Sequence, residues 1–379
     1  MQSKTILAAA VLAALPLAIA RAQAPAPQLH TEDLFVPYTS TSPVDAGQVT
    51  ALHVRHKAGP NPGLVVLFVH GATGPGVPDF DLDYKDYNWM ANLAQAGFDT
   101  YAIDLYGYGS SPRPVMDDPC NASEKQQHDI LLNHPLKATC APSYGFGIST
   151  IRTEWDQIDT VVDYLRRSRS QSKIDIVGWS AGGPRVGGYV SSHGDKIDRV
   201  VLYAPSPTIP GLSIPDRPSA GNPLYLQTQD TLMHGRWAAD EKCEGQVDPG
   251  IRDVVWRTTL DWDRIGRSWG APGEGVMRSP PLTDFGWSPE MAHNLKNPTL
   301  VVVGEFDRLA ARKTVYEQLG SPQKVFMRVA CASHFMVWEK QHLTLQRMTQ
   351  EWLEHGTALG QSTGELDADK DGRITSVSR

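Results

Sequence analysis

Hydrophobic and polar positions follow two periods that take turns along the chain. Short runs of Val, Leu and Ile alternate with longer segments whose apolar residues recur three and four apart, the spacing of one helical face. Residues 48–55 alternate apolar and polar like an edge strand, residues 64–69 form an unbroken apolar run, and residues 84–96 have helical spacing. Residues 98–105 predict the next strand, and residues 151–167 a helix with Trp155, Ile158, Val161, Val162 and Leu165 on one face. The remaining strands are predicted at residues 174–177, 199–203, 299–303 and 324–330, with helices over 183–191 and 336–352. Met336, Leu343, Leu345 and Trp352 are the expected apolar contacts of that last helix. Strands and helices in alternation predict an α/β fold with a mostly parallel sheet flanked by helices. Two stretches interrupt the rhythm. Residues 112–147 carry Pro, Asn, Asp and two cysteines, and the longer stretch 205–298 contains a helical segment at 254–265 and five of the ten tryptophans.

The chemistry is concentrated where the strand 174–177 ends. Gly178-Trp179-Ser180-Ala181-Gly182 follows it directly and precedes a helical segment. A strand that turns this sharply into a helix holds its serine at unfavourable backbone angles, needs small neighbours, and raises the hydroxyl into a cleft. A serine hydroxyl attacks only when a base takes its proton, and the base works best when a carboxylate orients it. Of twelve histidines, His334 is singled out by its place after the strand 324–330. Asp307 follows the strand 299–303 in Gly304-Glu305-Phe306-Asp307, with Glu305 as a substitute acid and an N-cap as the structural reading of Asp307. Parallel strands put all three residues on one rim of the sheet.

The order Ser180, Asp307, His334 resembles that of the α/β-hydrolase superfamily of serine hydrolases, from about residue 49 to residue 355. The resemblance implies a catalytic triad of Ser180, Asp307 and His334, a lid in the insertion after the sixth strand, and an esterase- or lipase-like activity. The run 64–69 leads into His70-Gly71-Ala72-Thr73-Gly74-Pro75-Gly76, which resembles the His-Gly loop of that superfamily. By that match the backbone N–H of Ala72, or of Thr73, joins that of Ala181 to form the oxyanion hole, while His70 holds the loop.

Composition restricts the setting. The net charge is −7 and there is no basic run, so nucleic acid is not an expected partner. Lys4, the apolar stretch 6–20 and Ala20-Arg21-Ala22 read as a signal peptide of residues 1–22; the stretch is too short for a membrane span. The expected location is secreted or periplasmic. There the four cysteines pair, with Cys120 expected to join Cys140 and Cys243 to join Cys331, although the sequence permits three connectivities. Most of the five tryptophans of the 205–298 stretch are expected to pack it onto the core, and one or two to line an aromatic pocket.

Residues 357–379 read as an acidic tail. Within it, Asp367, Asp369, Asp371 and Gly372 match the start of an EF-hand loop, but position twelve is Ser378 rather than Glu, so Ca2+ and a solvated tail are both open readings. Asn121-Ala122-Ser123 is a glycosylation sequon. The functional expectation is hydrolysis of a small or polymeric carboxylic ester, or a lactone, through an acyl-enzyme without a cofactor. Two alternatives stand beside it: an aminopeptidase of the proline-iminopeptidase type, with Asp240, Glu241 and Glu244 holding the substrate amine, and a noncatalytic binder on the same fold.

Overall fold

The computed structural model describes residues 28–72, 74–310 and 313–377. The leader read at residues 1–22 therefore lies outside the described residues. Ten strands form one sheet. In chain order they are β1 (His30–Thr39), β2 (Val49–Ala58), β3 (Val65–Val69), β4 (Asp99–Ile103), β5 (Ile174–Trp179) and β6 (Ile197–Tyr203). A separate two-stranded sheet, β7 (Tyr225–Gln227) with β8 (Met277–Ser279), lies within the 205–298 insertion. The main sheet then resumes with β9 (Thr299–Gly304), β10 (Lys324–Val329), β11 (Gly364–Ala368) and β12 (Ile374–Ser376). The order across it is β1-β2-β4-β3-β5-β6-β9-β10-β11-β12. Pairing is parallel from β4 through β11, and antiparallel between β1 and β2, β2 and β4, and β11 and β12.

Two-residue alternation divides each central strand between two cores. Val65, Leu67 and Val69 of β3 enter one cluster, with Val161, Val162 and Leu165 of the helix Ile151–Ser168. Val66 and Phe68 point the opposite way, into a cluster with Trp89, Trp352 and Leu353. Both faces being covered is why these strands read as unbroken apolar runs. No helix among the described residues is long and apolar enough to cross a membrane.

Several predicted elements change length, each with a local cause. The helix expected over 84–96 is confined to Trp89–Gln95, because the Asn88 side chain accepts from Ala91 N and caps it there. The helix expected over 336–352 is a 3-10 turn, Met336–Trp338, followed by the helix His342–His355. In the insertion, Ile251–Asp261 stops short of Asp263, whose carboxylate caps the separate turn Arg264–Arg267.

The reading of residues 357–379 as a solvated tail is corrected by the sheet. Gly364–Ala368 pairs with β10 in parallel, with Leu366 and Ala368 buried. The Asp-rich sequence makes the hairpin turn to β12: Asp369 Oδ1 accepts from the N–H groups of Asp371 and Arg373, each at 2.9 Å. Asp367 faces Arg328 at 3.2 Å and Asp371 faces Lys370 at 3.0 Å. The carboxylates of Asp367, Asp369 and Asp371 thus serve separate partners and are not grouped within metal-sharing distance. Among the described residues, the one group of three side chains close enough to share a metal is His30, Glu32 and His56, on β1 and β2.

The two insertions lean on each other. Gln126 Nε2 donates to Leu226 O at 2.8 Å, and Ala122 bridges Leu224. One disulfide, Cys120–Cys140, closes the first insertion; the other, Cys243–Cys331, ties the second to the loop after β10.

Candidate active site

Strands β5, β6, β9 and β10 are consecutive parallel neighbours, so their carboxyl ends share one rim. Ser180 follows β5 immediately, at φ +58°. A left-handed conformation at a residue other than glycine is strained, and the surrounding packing must hold it. Its flanking glycines are required by contact. A Cβ on Gly178 would lie 2.4 Å from Gly182 O, and one on Gly182 would lie 2.4 Å from Val69 O. The loops after β9 and β10 bring the other two groups to this turn. His334 Nε2 stands 2.8 Å from Ser180 Oγ, and His334 Nδ1 stands 2.9 Å from Asp307 Oδ2.

Asp307 is fully buried and uses both carboxylate oxygens. Oδ1 accepts from Leu309 N and Ala310 N at 2.7 and 2.8 Å while Oδ2 faces the imidazole, so the cap and the acid are one residue. Burial alone would raise its pKa. The His334 contact and the two backbone donors outweigh that penalty and hold the carboxyl below its ordinary range. Glu305 is engaged elsewhere, accepting from Cys331 N at 3.1 Å.

The His334 loop is pinned by residues that its own sequence does not reveal. Its carbonyl accepts from Tyr203 OH at 2.7 Å and from Trp179 Nε1 at 3.1 Å. Glu339, buried, accepts from Ser333 N and Trp237 Nε1. This interior role for the Glu339 carboxylate falls where the predicted 336–352 helix breaks.

A second buried network holds the loop after β3. His70 Nδ1 lies 2.8 Å from Gly71 O, and Leu105 N donates to His70 Nε2 at 3.1 Å. A carbonyl cannot donate, so the proton is on Nδ1 and the imidazole is neutral; burial and the nearby Arg185 push its pKa to about 3. Arg185, fully buried in the helix Gly182–His193, donates to His70 O and Gly71 O at 3.0 and 2.6 Å. Glu154 answers its charge with two contacts of 2.9 Å. Tyr108 OH completes the clamp by donating to Ala72 O at 2.8 Å. Neither Glu154 nor Arg185 was expected at the site. The available signal was Arg185 among Gly, Pro and Val residues, where a buried charge demands a partner.

The cleft over Ser180 is narrow, about 40 Å³. Gly71 and Ala72 form one wall and Leu309 another, while Leu232 and Arg236 come from the turn Asp230–Trp237 of the second insertion. The aromatic residues of its lining are Trp179 and Phe335. The insertion tryptophans pack instead: Trp237 and Trp287 are fully buried, and Trp262 lines a different, larger cavity of about 640 Å³. That cavity holds arginines and aspartates that neutralise one another, Arg113 and Arg278 both meeting Asp263, and it contains neither Ser180 nor His334.

Residues 65–231 match a family model described as the alpha/beta hydrolase fold. No curated protein matches the chain in sequence. Among solved structures, a serine hydrolase from the polyaromatic-hydrocarbon-degrading bacterium Cycloclasticus zankles is similar at 15% identity and TM-score 0.51, over 86% of this chain and 98% of its own. A serine hydrolase involved in carbazole degradation has the same identity and TM-score, over 86% of this chain and 99% of its own. A thermophilic esterase from Thermogutta terrifontis is similar at 18% identity and TM-score 0.50, covering 85% of this chain and 98% of its own. At these identities the likeness is one of fold. With the family match over residues 65–231, the strand order and the turn at Ser180, the chain has the α/β-hydrolase fold.

Proposed function

We propose that the protein is a secreted or periplasmic serine hydrolase that cleaves a carboxylic ester or lactone through an acyl-enzyme. The observation that carries this reading is the unbroken relay from Ser180 Oγ through His334 to Asp307, with contacts of 2.8 and 2.9 Å. His334 Nε2 takes the Ser180 proton as Oγ attacks the ester carbonyl, and Asp307 stabilises the imidazolium that forms. The resulting oxyanion is met by the backbone N–H groups of Ala72 and Ala181, whose loop and helix start adjoin Ser180; each such donor contributes roughly 3 kcal/mol. His334 then protonates the leaving alcohol, and water repeats the cycle to release the acid. The segment 205–298 serves as the lid, supported by Leu232 and Arg236 in the cleft wall.

The charges disfavour the aminopeptidase alternative. Asp240 is buried against Arg308, Glu241 faces Arg252, and neither they nor Glu244 line the cleft, so no carboxylate among them waits for a substrate amine. The export reading rests on the leader-like residues 1–22 and the two disulfides. The test is labelling of Ser180 by a fluorophosphonate together with turnover of a 4-nitrophenyl ester. Ser180→Ala should abolish labelling and lower kcat by roughly 10⁴-fold or more. Failure of the folded protein to label would favour the noncatalytic binder, and ester turnover by the variant within tenfold of the parent would remove Ser180 from the mechanism.

A further inference from the structure

The ionic groups around the cleft do not balance. Arg308, next to the cleft residue Leu309, is answered by Asp240, and Arg252 by Glu241. Arg236, half-buried in the cleft wall, has no carboxylate within ion-pair distance and no hydrogen-bond partner among the described residues. A partly desolvated guanidinium costs free energy unless an anion meets it, and its planar fork suits a carboxylate. One acid does line the same cleft. Asp79 is 2% exposed and accepts from Gly71 N at 3.3 Å, the loop beside Ser180. Burial raises its pKa well above the ordinary range and so disfavours its charged form.

We infer that Arg236 is an anion-binding residue of the catalytic cleft, and that the substrates are esters carrying a carboxylate in addition to the bond that is cleaved. This rests on the esterase reading and narrows it. A single guanidinium in the cleft wall matches one monoanionic group; a dianionic phosphate would bring a second charge with no cation to meet it. The carboxylate is held by Arg236 while the ester carbonyl lies over Ser180. Hemiesters of dicarboxylic acids are the simplest compounds with that chemistry.

The experiment compares two pairs of compounds that differ only in that charge. One pair is 4-nitrophenyl hydrogen adipate and 4-nitrophenyl methyl adipate, with the same leaving group; the other is a fluorophosphonate bearing a terminal carboxylate and its methyl ester. The intact protein should favour the anionic member of each pair by roughly 10- to 100-fold in kcat/KM or labelling rate, the value of one charge-assisted contact. Arg236→Gln should bring the ratio close to one, and Arg236→Lys should retain part of it. Because each ratio comes from a single sample, it does not depend on how much of a variant is folded. A ratio of one or less in the intact protein, or the same ratio in Arg236→Gln, overturns the inference. If neither ester is turned over while the neutral phosphonate labels Ser180, the esterase reading fails and the probe ratio alone decides for or against Arg236. Labelling by neither probe removes both.

Discussion

Replacing Asp307 by Asn tests the relay at its least replaceable atom. The carboxylate is fixed from two sides: Oδ1 accepts from Leu309 N and Ala310 N, and Oδ2 from His334 Nδ1. Asparagine has nearly the same shape but only one acceptor oxygen. Two backbone donors outnumber one imidazole, so the amide oxygen will face Leu309 and Ala310 and the NH₂ group will face His334. An NH₂ group donates, which forces His334 to accept at Nδ1 and to carry its proton on Nε2, pointing at Ser180. A histidine in that tautomer cannot accept the serine proton. Inverting this tautomer in a triad costs about 10⁴-fold in kcat, or roughly 5 kcal/mol of transition-state stabilisation. KM should change little, because Asp307 is fully buried behind the imidazole and does not line the cleft. The assay is steady-state hydrolysis of a 4-nitrophenyl ester, paired with the rate of fluorophosphonate labelling and a thermal melt showing that the variant is folded. Glu305→Gln is the control and should leave kcat within a few-fold. A kcat within tenfold of the parent for Asp307→Asn, or a larger loss for Glu305→Gln, would refute the argument.

How far the sequence reached follows from what kind of burial each residue has. The strands β3, β5, β6 and β9 are covered on both faces, so each is an apolar run visible without any alignment, and the residues just past their ends point to the rim. That is why Ser180 and Asp307 could be singled out, with His334 marked by its place after β10, and the structure joins the three by hydrogen-bond contacts through His334. Strand β1 was not legible. It lies at the sheet edge, its first four residues are exposed, and Pro37 interrupts its pattern, so no apolar run marks it. Strand β11 failed for another reason. Its buried Leu366 and Ala368 do alternate with half-buried acids, but the Asp-rich turn that follows gives a stronger and misleading signal. The supporting networks are the least visible part. Arg185 and Glu154 lie on different helices, and Glu339 and Trp237 on distant segments, so their mutual satisfaction is a property of the tertiary fold alone. Charge in a helix normally marks a solvent face, and these residues invert that rule because they fix the two loops that meet at Ser180.

Three further predictions concern what holds the site. Glu154→Gln leaves the fully buried Arg185 without its counter-charge and should destabilise the protein by roughly 3 to 5 kcal/mol in denaturant unfolding; a loss below about 1 kcal/mol would mean that the carbonyls of His70 and Gly71 suffice. Asp175 is raised by burial, and by the neighbouring Asp198, to about 8. Its contribution is therefore complete below its unfolded value of about 4 and is lost as the pH rises through 8. Asp175→Asn should thus flatten the decline in stability between about pH 5 and pH 8, and an unchanged slope would reject that assignment. The disulfides should separate stability from catalysis. They span 88 and 20 residues, so loop-closure entropy assigns about 4.6 kcal/mol to Cys243–Cys331 and about 3.3 kcal/mol to Cys120–Cys140, a modest difference. Their catalytic consequences should differ far more, because Cys331 begins the turn that presents His334, whereas neither Cys120 nor Cys140 lines the Ser180 cleft. Releasing Cys331 lets the base drift from Ser180 Oγ, and proton transfer needs a heavy-atom separation of about 3 Å. Cys243→Ala with Cys331→Ala should therefore lower kcat by at least tenfold under conditions where the variant is fully folded, while Cys120→Ala with Cys140→Ala should lower Tm with kcat nearly unchanged. Equal kcat losses in the two folded variants would show that the Tyr203, Trp179 and Glu339 contacts hold the His334 loop without the bridge.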